Sequence, residues 1–181
     1  MSSSIPEYFA LFGLEPQFAL DQDRLTQNYR AVLAQVHPDR FAGAGPMERR
    51  AAVQIASHAN QAYQVLRSDS ARAAYLCAQN GTKADGEGTG ALEPSFLELQ
   101  MHWRESLADA VASSDINTIE SLAAEVGASR VHLVEQIAQA IDMRRDFPAA
   151  AKAVRALMFV DKMNSEIERA RHGEGASIDS H

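Results

Sequence analysis

Apolar side chains recur along most of this chain at the three- and four-residue steps of a helix. Nowhere do they alternate in the sustained way a half-buried strand needs. Leu25, Tyr29, Val32, Leu33 and Val36 stand at i, i+4, i+7, i+8 and i+11. They form one stripe of a helix that begins after Asp21, a residue suited to the N-cap. That helix must stop near His37, because Pro38 disfavours helical geometry at the residue before it. After a loop through Gly43, Ala44, Gly45 and Pro46, a second long helix runs to about Arg67, with Ile55, Ala59, Ala62, Tyr63 and Leu66 on one stripe. A short helix follows Asp69 and takes in Ala71 to Ala78. Ahead of all these, Tyr8, Phe9, Leu11, Phe12 and Leu14 make a compact apolar element ended by Gly13. The pattern predicts an antiparallel helical hairpin with short flanking helices.

The second half repeats the helical period with different spacing. Pro94 fits a first helical turn, and Ser95 with Glu98 reads as a capping box. The helix they open runs to about Ser113. Asp115 caps the next, which carries Ile116, Ile119, Leu122, Ala123 and Val126, then Val131, Val134, Ile137, Ala138 and Ile141, with Gly127 a point at which it can kink. A third begins around Pro148 and carries Val154, Leu157, Met158 and Ile167. Short connections between them predict an up-down three-helix bundle. Between the halves, residues 79–90 hold four glycines and only Ala84 as an apolar side chain, the composition of a linker. The expected organisation is all-α: a helical hairpin over 1–78, a glycine-rich linker over 79–93, a three-helix bundle over 94–171 and a loose tail over 172–181.

Composition narrows the partners. The formal net charge is −7, which gives no general pull towards nucleic acid. Residues 1–78 are balanced, with seven basic and seven acidic side chains, so the acid lies in the rest. No apolar run is long enough to span a bilayer. The N-terminus, Met1-Ser2-Ser3-Ser4-Ile5-Pro6-Glu7, lacks the features of a secretory signal. A cytoplasmic, reduced protein is the expectation, and a monomer the default. Cys77 is the single cysteine, which rules out an internal disulfide and a multi-thiolate metal site. The six histidines, His37, His58, His102, His132, His172 and His181, show no ligand spacing. No serine or cysteine has a nucleophile's setting, and no glycine-rich phosphate loop follows a strand. No catalytic residue, cofactor or metal is expected. The most unusual cluster is His37-Pro38-Asp39, between the two long helices of the first half.

Its context is specific. Ala62-Tyr63-Gln64-Val65-Leu66, then Asp69, Arg72, Ala73, Ala74 and Tyr75 follow on the next helices. This arrangement resembles the J-domain of DnaJ-like co-chaperones. Tyr8 to Leu14, Phe18-Ala19-Leu20-Asp21 and His37-Pro38-Asp39-Arg40-Phe41-Ala42 are similar to the HscB branch, which serves iron–sulfur cluster assembly. Phe96-Leu97-Glu98-Leu99-Gln100 and Arg155 to Lys162 match that family in the second half, so the likeness covers nearly the whole chain. It implies a non-enzymatic co-chaperone that binds the scaffold protein IscU, delivers it to an HscA-type chaperone of the DnaK class and stimulates that chaperone's ATPase. The chaperone-binding residues it implies are His37, Pro38, Asp39 and Arg40, with Arg30 and Arg24 as supporting charges. Arg30 lies seven residues before His37, hence on nearly the same face, whereas Arg24 is about 120° away from Arg30. Val36 stands where J-domains often have an aromatic. Two other readings compete: a general J-domain co-chaperone with a different client, and a small metal-dependent hydrolase using His37 and Asp39.

On the first helix of the second half, Phe96, Trp103 and Leu107 make a core stripe. Leu97 and Met101 lie off it, at about 0° and 40° on a wheel that puts Glu105 at about 80°. Spacing alone leaves two possibilities, a protein-binding patch or a face covered by another helix. The resemblance favours binding and implies Leu97, Met101, Glu105, Asp109 and Phe159 as client contacts; beside Phe159, Leu157 and Met158 better suit the interior. Glu98 and His102 replace residues that are respectively apolar and acidic in relatives.

Overall fold

The computed structural model describes residues 7–41, 43–84 and 93–172, and among these every regular element is helical. Contacts divide the chain into two compact units, Met1–Leu76 and Cys77–His181.

The first unit is built from α1 (Tyr8–Leu11), α2 (Gln22–Gln35), α3 (Pro46–Arg67) and α4 (Asp69–Gln79), the last of which crosses the boundary. The Asp21 carboxylate accepts from the Asp23 and Arg24 amides, both at 3.0 Å, and so starts α2. Pro46 lies in the first turn of α3, and the Gly45 amide donates to Glu48 Oε2 at 3.0 Å. α3 turns Ala52, Ala59, Ala62 and Leu66 inward, and α2 contributes the fully buried Leu25. Small side chains on α3 let the two backbones come close. Tyr29 and Tyr63 stack across the hairpin with centroids 4.1 Å apart. Their hydroxyls reach Asn60 Oδ1 and Thr26 Oγ1, so both rings are half-buried rather than core. Ile55, expected on the α3 stripe, is exposed. Period marks a face of a helix but not how far along it that face is covered.

Two glycines set helix ends. At Gly13 (φ 60°) and Gly81 (φ 76°) the backbone is left-handed, where a Cβ would be strained. The amide of Leu14 reaches the Phe9 carbonyl and that of Thr82 the Cys77 carbonyl, closing α1 and α4.

The second unit comprises α5 (Pro94–Ser113), α6 (Ile116–Ala138), a π turn over Gln139–Met143 and α7 (Phe147–Arg171). Asp115 and Asp146 cap α6 and α7 by accepting from the amides of Thr118 and Ala149. The capping box expected of Ser95 and Glu98 is not formed. α5 already begins at Pro94, so the cap position falls to Glu93, which makes no side-chain bond there. α6 passes through Gly127 unbroken, and the irregularity comes at the π turn instead. Trp103, Leu107, Leu122, Val126, Ile137, Val154, Leu157 and Val160 fill the core, each contributing roughly 1.5–3 kcal/mol of burial. Ile116 and Val131 are exposed, contrary to expectation. Ile116 opens its helix, and Val131 lies about 140° round from the buried Val126. Trp103 Nε1 donates to Glu125 at 2.8 Å, and Arg130 pairs with Asp161 at 2.9 Å. Arg171 holds Glu120 and Glu168 near the end of α7. Most of the expected linker and tail lie outside the described residues. Within the linker, α4 extends to Gln79 and Ala84 is buried.

Candidate functional site

The His-Pro-Asp segment forms a single 3₁₀ turn, Pro38–Phe41, between α2 and α3. α2 ends because Val36 leaves helical geometry, with its amide reaching only to the Leu33 carbonyl, and Pro38 cannot continue the ladder. The Asp39 amide donates to His37 Nδ1 at 3.3 Å, and the Asp39 carboxylate lies 3.5 Å from the same nitrogen. Arg40 donates back to the Ala34 carbonyl at 3.4 Å, one of the open acceptors of the helix end. The His37 and Asp39 side chains are 59% and 90% exposed. Contacts between side chains this exposed add little to stability, so the turn holds recognisable groups out to solvent at little energetic consequence to the fold. Arg30 is exposed on α2 two turns before His37. Arg24 is also exposed but sits in the first turn of α2, at its opposite end.

Among the described residues no three His, Cys, Asp or Glu side chains gather as a metal site. Cys77 is buried, and burial pushes its thiol up to about 11, away from the thiolate that attacks or ligates.

The second unit presents an apolar patch. Leu97 and Met101 are 44% and 62% exposed on α5, and Glu105 and Asp109 are exposed beyond them. Phe159 is half-buried on α7. Its ring meets Phe96 edge-on at 6.1 Å, and the Arg104 guanidinium lies over it at 5.2 Å. Phe96 in turn meets Trp103 edge-on at 6.5 Å, so it links the core to the patch. Met158, expected inside, is 39% exposed. α7 turns Leu157 and Val160 inward, which puts Met158 and Phe159 on its outer sides, with Phe159 the one that reaches α5. Leu97, Met101 and Phe159 thus border the same surface, two free and one anchored. Arg104 is the residue missed from the sequence. The available signal was its place seven residues after Leu97, on nearly the same face.

A His-Pro-Asp turn that exposes His37 and Asp39 between the two long helices of an antiparallel hairpin, followed along the chain by a three-helix bundle, is the layout of a J-domain co-chaperone. The family model described as HSCB C-terminal oligomerisation domain matches residues 92–168. The co-chaperone protein HscB homolog of Burkholderia thailandensis is 43% identical over 176 residues, 95% of this chain and 100% of that one. Its counterpart in Bordetella petrii is 44% identical over 165 residues, 91% and 96% of the two chains. The solved chaperone HscB from Vibrio cholerae superposes with a TM-score of 0.81 at 34% identity, covering 93% of this chain and 99% of that one. Human co-chaperone HscB shares the fold, with a TM-score of 0.83 at 22% identity, covering 92% of this chain and 82% of that one. The chain belongs to the HscB family of co-chaperones.

Proposed function

We propose that this chain is a cytoplasmic co-chaperone of iron–sulfur cluster assembly. It binds the scaffold IscU, hands it to an HscA-type chaperone of the DnaK class and stimulates that chaperone's ATPase. His37, Pro38, Asp39 and Arg40 contact the chaperone, with Arg30 and Arg24 adding charge. Leu97, Met101, Glu105, Asp109 and Phe159 contact the scaffold. The chain performs no chemistry itself. Its effect is a differential affinity for the chaperone's states, favouring the one competent for hydrolysis.

The observation that carries this reading is the exposure of His37 and Asp39 on a turn that the fold does not need for packing. Membership of the HscB family supports it, as do the uncovered side chains of Leu97 and Met101. The test is the steady-state ATPase rate of a purified HscA-type chaperone, with and without this protein and IscU. Stimulation is expected, and His37→Gln is expected to abolish it while the melting curve stays within about 0.5 kcal/mol of the wild type, as for other surface changes. Undiminished stimulation by a folded His37→Gln protein refutes the chaperone assignment. For the scaffold, Leu97→Ala with Met101→Ala should weaken IscU binding by about 1–3 kcal/mol, the usual range for truncated anchors. Phe159→Ala is a poorer probe, since losing its contact with Phe96 also costs stability.

A further inference from the structure

We infer that the docking surface on α5 and α7 is charge-polarised, with a basic edge of Arg104 and Lys162 beside Phe159 and an acidic edge of Glu105 and Asp109 beyond Met101. It therefore fits a protein partner with carboxylates at one end of its contact and basic side chains at the other. This rests on the docking reading of the patch and adds the orientation in which the partner lies.

The order across the surface follows from contacts and helical geometry. Phe159 touches Phe96 and Arg104, which lie at about −100° and −20° on α5 when Leu97 is set at 0°. The acids lie on the other side, Glu105 at about 80° and Asp109 at about 120°. Leu97 and Met101 occupy the strip between. Lys162 follows Phe159 by three residues on α7, a surface neighbour by helical spacing. Its side chain is 66% exposed, and its ammonium makes a long ion pair with Glu166 at 4.0 Å. Among the described residues Arg104, Glu105 and Asp109 form no side-chain ion pair, and the recorded contact of Arg104 is the Phe159 ring.

The acidic edge agrees with the net charge of −7; the basic edge runs against it. Opposite charges either side of an apolar strip select both partner and orientation, because a reversed partner meets like charge at both ends. Arg104 has a second effect. Its guanidinium and the Phe96 ring hold Phe159 from two sides, so less side-chain freedom is lost when the ring is engaged.

The test is calorimetric titration of the full chain with purified IscU at low and high salt, with a melting curve for each variant. Lys162→Glu, Arg104→Gln and Glu105→Lys should each weaken binding about three- to tenfold, with the differences shrinking as salt rises. Arg104→Lys should recover only part of the loss, since it keeps the charge but not the planar stack. If Lys162→Glu and Arg104→Gln leave binding unchanged or tighten it while Glu105→Lys and Leu97→Ala weaken it, the partner is basic throughout and the polarity is overturned, with docking intact. If Leu97→Ala leaves binding unchanged, the docking reading falls and this inference with it.

Discussion

Replacing Arg72 by methionine tests how the first unit is held together behind its His-Pro-Asp turn. The Arg72 side chain is only 4% exposed. Its Nε donates to the Phe18 carbonyl at 2.8 Å, Nη1 to the Leu66 carbonyl at 2.6 Å and Nη2 to the Asp69 carboxylate at 2.7 Å. The guanidinium also lies 4.8 Å from the centroid of the Phe18 ring. One rigid fork therefore joins the segment ahead of α2, the end of α3 and the start of α4. Hydrogen bonds to a charged group contribute about 1.5–3 kcal/mol each, but desolvation of the guanidinium opposes them and they do not add. Removing one partner of a buried pair costs about 3–5 kcal/mol. The buried methylenes of methionine return part of that, leaving a loss of about 3 kcal/mol. For a unit of this size each kcal/mol lowers the midpoint by about 4–8 °C, so a fall of about 12–24 °C is expected in far-ultraviolet circular dichroism. Arg72→Lys should lose nearly as much, because a point charge cannot reach three acceptors in fork geometry. Below the lowered midpoint, ATPase stimulation should persist, since Arg72 is buried. A loss under about 1 kcal/mol for methionine, or a lysine variant as stable as wild type, would refute the fork reasoning.

Arg30→Glu should weaken chaperone binding mainly through the association rate and at low salt, whereas Arg24→Glu, at the far end of α2 and rotated about 120° from Arg30, should matter less. Equal effects in stopped-flow association would refute the helical-face reasoning. For Cys77, burial raises the thiol from 9.0 to about 11, so the folded state favours the neutral form. That contribution to stability is complete below pH 9 and is lost as pH rises towards 11. Urea unfolding followed from pH 8 upward should show this slope, and Cys77→Ala should lack it.

The fold was legible wherever a local rule decides. Asp21 and Asp115 cap their helices as expected, because a short carboxylate ahead of an apolar period has one good use. The turn at His37 follows from proline chemistry, whatever the rest of the chain does. Legibility failed where the answer depends on which element covers which. Ile55 and Ile116 fall on the stripes read for their helices and are exposed, because period is indifferent to how far along a helix its face is covered, and Val131 lies off the buried face of its helix altogether. Ser95 failed for a smaller reason: Pro94 can itself begin the helix, which moves the cap one residue further back than a capping-box pattern places it.

The candidate site divides along the same line. His37 and Asp39 belong to one local turn, so their exposure could be argued from sequence, and they are exposed. For Leu97 and Met101 a helical wheel put them off the stripe of Phe96, Trp103 and Leu107 but left open whether another helix covers them, and the structure leaves both exposed. Phe159 needed a second helix. A wheel for α7 alone cannot tell whether Met158 or Phe159 meets α5, and the structure gives that contact to Phe159, between Phe96 and Arg104. The arginine then changes the character of the patch. An acidic rim read from α5 alone would attract any basic surface, whereas a patch with Arg104 and Lys162 on its other side accepts a basic surface in one orientation only. Discrimination of that kind arises from the pairing of α5 with α7, which is why the residues that specify a partner's orientation are the ones least visible along the chain.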